Sequence, residues 1–221
     1  VVRSIEQGDF AGVLRIHAAP LVMRHLLPAW IQRLRAARPG LVVELGEHET
    51  GDLGPLRSGD ADLIVDHLPE IPADVATLQV ATIKAFLVVS AAHELAKKKQ
   101  LSLADLADEV FVSYSPGSHP YRQQMRAFEA AGLEPNSALS AHSVDTILGL
   151  VEAGLGWSLV PSLEPGGPRG AGAGPGSGGK GGIEARPLDD PEVAFPVYAA
   201  WRLDTPENPL LDCALETAPK P

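Results

Sequence analysis

Short alternating apolar runs and longer helical ones succeed one another twice along this chain, which confines it to the α/β class. Val13-Leu14-Arg15-Ile16-His17-Ala18 alternates as a strand does. Met23, Leu26, Leu27, Trp30, Ile31 and Leu34 then fall on one helical face, which Pro39-Gly40 ends. Pro28 lies inside that run, so either the helix starts near it or its first turns are kinked. A second strand is expected over 41–46, and a short helix over 53–58, weakened by Gly54-Pro55. Gly59-Asp60 turns into a third strand over 61–65. Strands joined by helices in this order run parallel and form one α/β lobe.

Residues 75–90 read as a long, mostly apolar strand or pair of strands, too long to end inside a small sheet. Past them the rhythm repeats. A short helix over 103–108 precedes a strand over 110–114 and a helix over 121–131 closed by Gly132. Ser143 caps a further helix through Ala153, and Gly154-Leu155-Gly156 turns into a strand over 157–160. A late strand is expected over 193–201. A last helix follows over 209–218, with Leu210, Leu211, Ala214 and Leu215 on its apolar face. The expected architecture is therefore two Rossmann-like lobes joined by crossover strands, with a ligand cleft between them. Lobe one takes 13–84 and 194–221, and lobe two takes 85–193. Between 166 and 182, ten of seventeen residues are glycine, which reads as a flexible surface loop. Gly179-Lys180 is followed by Gly181, so the Walker pattern is absent.

Composition excludes several functions. The net charge of −10 repels a phosphate backbone, and Lys97-Lys98-Lys99 reads as a solvated loop. Cys213 is the sole cysteine, so neither an intrachain disulfide nor a cysteine-paired metal site is available, and a reducing cytoplasm fits. The first residues lack the apolar core of a secretory signal, and no apolar run is long enough to cross a bilayer. The chain opens on valine, as an excised or processed domain does.

In an open α/β sheet, ligands gather beyond the carboxyl ends of the strands, beside helix N-termini whose free N–H groups favour anions. Four loops qualify, at 18–22, 49–52, 115–119 and 142–144. Ser115-Pro116-Gly117-Ser118 offers hydroxyls and an approachable backbone, although a capping serine at a plain helix entry explains the same residues. Ser143 reads first as an N-cap and second as a ligand contact. His17, His48, His67, His119 and His142 cluster at strand ends or helix starts. A metal reading requires several of them to converge with a carboxylate such as Glu49 or Asp66, and no HExxH-type spacing supports it. Neither GxSxG nor GxGxxG occurs in a strand–turn–helix setting, so no catalytic site and no cofactor is expected.

Gly12-Val13-Leu14-Arg15-Ile16, Leu26-Leu27-Pro28, Arg38-Pro39-Gly40-Leu41, Gly59-Asp60-Ala61-Asp62-Leu63-Ile64-Val65, His93-Glu94-Leu95-Ala96, Leu103-Ala104-Asp105-Leu106-Ala107, and above all Val151-Glu152-Ala153-Gly154-Leu155-Gly156 with Leu159-Val160-Pro161 follow one another along the chain. In this order they resemble the effector-binding domain of LysR-type transcriptional regulators. The resemblance implies a type 2 periplasmic-binding-protein-like fold, with 1–12 as the end of a linker helix. It also implies a small, anionic effector, a homodimer or homotetramer, and DNA contact only through a separate helix-turn-helix. A transporter's solute-binding protein is the alternative, and an enzyme on the same fold is a more distant one. Thr50 matches the family's hydroxyl position after the second strand. Ala19-Pro20-Leu21 replaces a common Ser or Thr, which implies a more apolar ligand. The expected effector-binding residues are Ala19, Leu21, Met23, Thr50, His67, Ser115, Gly117, Ser118, His119, His142 and Ser143. Met23, Leu26, Trp30 and the strand after them match the family's pairing surface.

Overall fold

A computed structural model of the chain describes residues 12–48, 50–169, 182–189 and 193–221. The expected linker-helix tail up to Ala11, Glu49 and most of the glycine-rich stretch lie outside the described residues. The chain divides into two units, residues 1–82 with 195–221, and residues 83–194.

Unit one starts from β1 (Val13–Ala18), whose alternation buries Leu14, Ile16 and Ala18 on one face. β1 pairs in parallel with β2 (Val42–Glu47) on one side and β3 (Leu63–Asp66) on the other. The returning strand β9 (Ala194–Arg202) pairs antiparallel with β3 through its residues 198–200. The expected helix over 23–34 is two helices, α1 (Pro20–His25) and α2 (Leu27–Ala37), which meet at Leu26. Pro28 sits in the first turn of α2, where its missing N–H costs nothing, and this resolves the irregularity in the sequence. Pro55 likewise opens α3 (Gly54–Ser58), so the dipeptide expected to weaken that helix begins it.

Leu27, Trp30 and Leu34 point inward, and the Trp30 indole N–H donates to Ala214 O, 3.0 Å away in α6 (Pro209–Glu216). Trp30 therefore holds two helices of its own unit together, which corrects its expected place on a pairing surface. The opposite sheet face is covered by α3, where Leu53, Leu56, Ala61, Ile64, Leu68, Val75 and Ala200 form a core.

β4 (Val75–Ser90) is one continuous strand that runs from unit one into unit two. This half is paired on both edges, antiparallel to β7 (Ser158–Ser162) and β8 (Ile183–Pro187). Every residue from Ala85 to Ser90 is buried, because Ala85, Leu87 and Val89 pack into one core and Phe86 and Val88 into another on the opposite face. A strand covered on both faces reads as an unbroken apolar run, as here. β5 (Phe111–Tyr114) pairs in parallel with β6 (Ser137–Ala141) and bridges to Trp157. α4 (His119–Ala131) and α5 (Val144–Glu152) complete the unit. Its core includes the rings of Phe111, Phe128 and Trp157, with centroids 4.8–5.8 Å apart. β6 and β8 escaped sequence reading: Ser137-Ala138-Leu139-Ser140-Ala141 is mostly small and exposed, and β8 adjoins the glycine-rich stretch. The helix expected over 103–108 is a single 3-10 turn, Ala104–Leu106.

Candidate effector-binding residues

In unit one, five expected residues gather at the carboxyl ends of the parallel strands. Ala19 is the N-cap of α1: its carbonyl accepts the first helical bond, from Met23 N at 3.0 Å, and its methyl group cannot cap the free N–H groups of the first turn. Leu21 and Met23 are half-buried on that helix. Thr50 occupies the turn after β2, followed by Gly51 at φ +84°, a conformation that favours glycine. His67 follows β3, its Nδ1 3.0 Å from Pro196 O and its ring packed 5.0 Å from Phe195.

Asp66, the last residue of β3, was singled out by the sequence only as a conceivable metal partner, yet it organises this end of the sheet. One carboxylate oxygen accepts from His67 N at 2.7 Å and the other from Gly51 N at 3.2 Å. The His48 Nε2 lies 3.3 Å from the latter oxygen, in contact but without an aligned hydrogen bond. Both side chains are nearly sealed, 3% exposed for His48 and 2% for Asp66. A buried carboxylate is tolerated only with such partners. Neither ring nitrogen of His48 has a hydrogen-bond partner among the described residues, nor has His17 Nδ1, and each is buried. An unpaired buried polar atom costs on the order of 1–3 kcal/mol. Among the described residues no group of three histidine, cysteine or acidic side chains is placed to hold a metal ion.

In unit two the remaining six candidates flank two helix starts. The Ser118 N–H donates to Ser115 O at 3.2 Å, closing a turn with Pro116 second and Gly117 third at φ +85°. That is the residue order a type II turn demands. The Ser118 hydroxyl accepts from Tyr121 N at 3.2 Å and caps α4, and Ser143 accepts from Thr146 N at 3.2 Å and caps α5. Both serines thus cap, as the plainer reading of each required. His119 lies in the first turn of α4, its Nε2 3.3 Å from Gln123 Nε2, and His142 is exposed beside Ser143. Sequence reading passed over Tyr114 at the end of β5. Its burial, reinforced by the charge of Asp145, holds the phenol well above the ordinary tyrosine range.

These units, α/β layers built on parallel strands and linked twice by the chain, define the effector-domain class of two-lobed binding folds. The chain belongs to the LysR substrate binding domain family, whose model matches residues 7–219. It is 33% identical over 161 residues to the HTH-type transcriptional regulator TtuA of Agrobacterium vitis, covering 68% of this chain and 51% of that protein. To the HTH-type transcriptional regulator BenM of Acinetobacter baylyi it is 31% identical over 194 residues, covering 86% and 60%. The solved effector binding domain of BenM with its effector benzoate superposes with a TM-score of 0.75 at 29% identity, covering 93% of this chain and 89% of that one. The chain spans about half the length of the curated relatives it matches. Those relatives are transcriptional regulators rather than enzymes.

Proposed function

We propose that this domain senses a small organic acid on behalf of a transcriptional regulator in the bacterial cytoplasm. A helix-turn-helix segment outside this chain contacts DNA. The observation that carries the reading is the Ser115–Ser118 turn. Its Gly117, at φ +85°, carries no side chain to bar a ligand from the backbone directly before the N-terminus of the 13-residue α4, where the helix dipole favours an anion. Within unit one, Thr50 offers a hydroxyl at the strand ends beside the half-buried Leu21 and Met23 and the buried Ala19, and is that unit's own candidate contact. Benzoate bound to BenM supports a carboxylate-bearing effector class. Differential affinity of the effector for two conformations is then what reaches the DNA-binding segment.

Titration calorimetry against small carboxylates, with Thr50→Val and Ser118→Ala on any hit, tests the site. Each substitution should weaken binding about 10-fold or more, the value of one charge-assisted hydrogen bond. Unchanged affinity in both variants, with the fold intact by circular dichroism, would place the effector elsewhere.

We further propose a homodimer or homotetramer that uses β2 and the outer faces of α1 and α2. Val42 and Leu45 on β2 are 53% and 50% exposed, an apolar edge that folded chains ordinarily cover.

A further inference from the structure

Between β5 and the chain leading into β7, parallel pairing stops after one bridge. Trp157 N–H donates to Val110 O at 2.9 Å, and Val112 N–H to Trp157 O at 2.8 Å. The evenly spaced bonds of a parallel pair would continue with Tyr114 N–H donating to Leu159 O. In place of that rung stands the side-chain amide of Gln124. Its Oε1 accepts from Tyr114 N at 2.9 Å, and its Nε2 donates to Leu159 O at 2.8 Å. The partners fix the amide's orientation, since one offers only a proton and the other only lone pairs. The neighbouring acceptor, Val112 O, is met in the same way by the Ser158 hydroxyl at 2.7 Å.

Gln124 is 2% exposed and Ser158 is wholly buried, so two polar side chains are kept inside unit two with their bonds made. Gln124 lies six residues past Ser118, the cap of α4. Its bond to Tyr114 therefore closes a ring through the Ser115–Ser118 turn and the first turns of the helix. Ser115, Gly117, Ser118 and His119 all lie within that ring. Toward β6 the strand end is held by Ser115 N–H, which donates to Ala141 O at 2.9 Å. Toward β7 the tie is Gln124.

We infer that Gln124 is the positioning residue of the anion-binding turn: its amide spaces β5 from β7 and so fixes where the turn and the N-terminus of α4 stand. The inference rests on the effector-binding function proposed above. Without the amide, Tyr114 N–H and Leu159 O are buried and unpaired, a state that folded chains avoid. The nearest remedy is the missing rung itself. β5 then closes on β7 and carries Ser115–Ser118 with it, and the hydrogen bonds to a bound carboxylate lose their distance and angle.

The test combines calorimetry, with benzoate and glutarate as probes, and the amide resonances of Ser115, Gly117 and Ser118 in nuclear magnetic resonance. Gln124→Leu keeps most of the volume and loses both bonds. It should shift the turn resonances and bind at least about 10-fold more weakly than the unmodified chain. Gln124→Glu carries its own rescue, and decides the matter if the leucine variant does not fold. Protonated, its carboxyl accepts from Tyr114 and donates to Leu159 as the amide does; ionised, it has no proton to give and faces the Leu159 carbonyl. Compared with the unmodified chain at the same pH, it should bind normally at about pH 6 and at least about 10-fold more weakly at about pH 9, a span in which buried glutamates ionise. A side chain serving stability alone would lower the melting temperature and leave these affinity ratios at one. Ratios of one in both folded variants, or turn resonances unmoved in Gln124→Leu and in Gln124→Glu at the higher pH, would overturn the inference and leave the effector-binding reading intact. If neither probe binds the unmodified chain, the effector-binding reading fails for these acids and the resonances alone decide the role of Gln124, a shifted turn upholding it and an unmoved one overturning it.

Discussion

A carboxylate as deeply buried as that of Asp66 survives because backbone N–H groups and an imidazole surround it, and their loss should be felt locally. Asp66→Ala leaves Gly51 N–H and His67 N–H without their acceptor and should destabilise unit one by about 3–5 kcal/mol, read by urea unfolding. A cost below 1 kcal/mol would mean that the carboxylate does not brace the turn. Tyr114 makes a prediction in pH. Its phenol is held above the ordinary value of 10.0 by burial first and by Asp145 second. A raised folded-state pKa gives stability that is complete below the unfolded-state value and is lost as pH climbs through the folded one. Stability should therefore decline above about pH 10, and Tyr114→Phe should flatten that decline. An unaltered alkaline limb in the variant would exclude the phenol as its source. Of these side chains the sequence disclosed a list of histidines near strand ends and Asp66 as a conceivable metal partner. Which of them sit beside a buried carboxylate depends on the relative register of β1, β2 and β3, and no local pattern carries that.

Most elements were legible in the sequence, for reasons visible in particular cases. β4 announced itself as an unbroken apolar run because its second half is covered on both faces, and Gly132 marked the end of α4 because it adopts φ +66°. β6 was illegible because its small, exposed residues carry no period. Gly154-Leu155-Gly156, the strongest local motif, has a steric basis. Gly156 sits at φ +154°, and a Cβ there would lie 2.3 Å from Val110 O. Gly156→Ala must displace β5 from the strand after it, and should cost about 1–3 kcal/mol by thermal unfolding. A neutral result would show that this contact relaxes freely. The glycine-rich stretch needs a trimmed boundary. Gly167 is buried, and a Cβ on it would meet Phe86 and Ala185 at 2.7 Å, so the surface loop expected over 166–182 does not include that residue.

At the scale of the molecule, the acidic charge and the exposed β2 edge set the expectations. With a net charge of −10, the chain alone should give no specific shift with duplex DNA at physiological salt. Sedimentation at micromolar concentration should give about twice the chain mass, and Leu45→Lys on β2 should shift it toward monomer. A monomer at every concentration would remove β2 as a pairing edge. Among the described residues no helix is long and apolar enough to cross a membrane. The central claim, that this domain binds a small acid, is tested most directly by its melting temperature against increasing concentrations of small amino, hydroxy and simple carboxylic acids. At least one should give a saturable rise, reaching about 2.7 kcal/mol of added stability at one hundred times its dissociation constant. A melting temperature indifferent to every acid, at concentrations up to tens of millimolar, would contradict the claim.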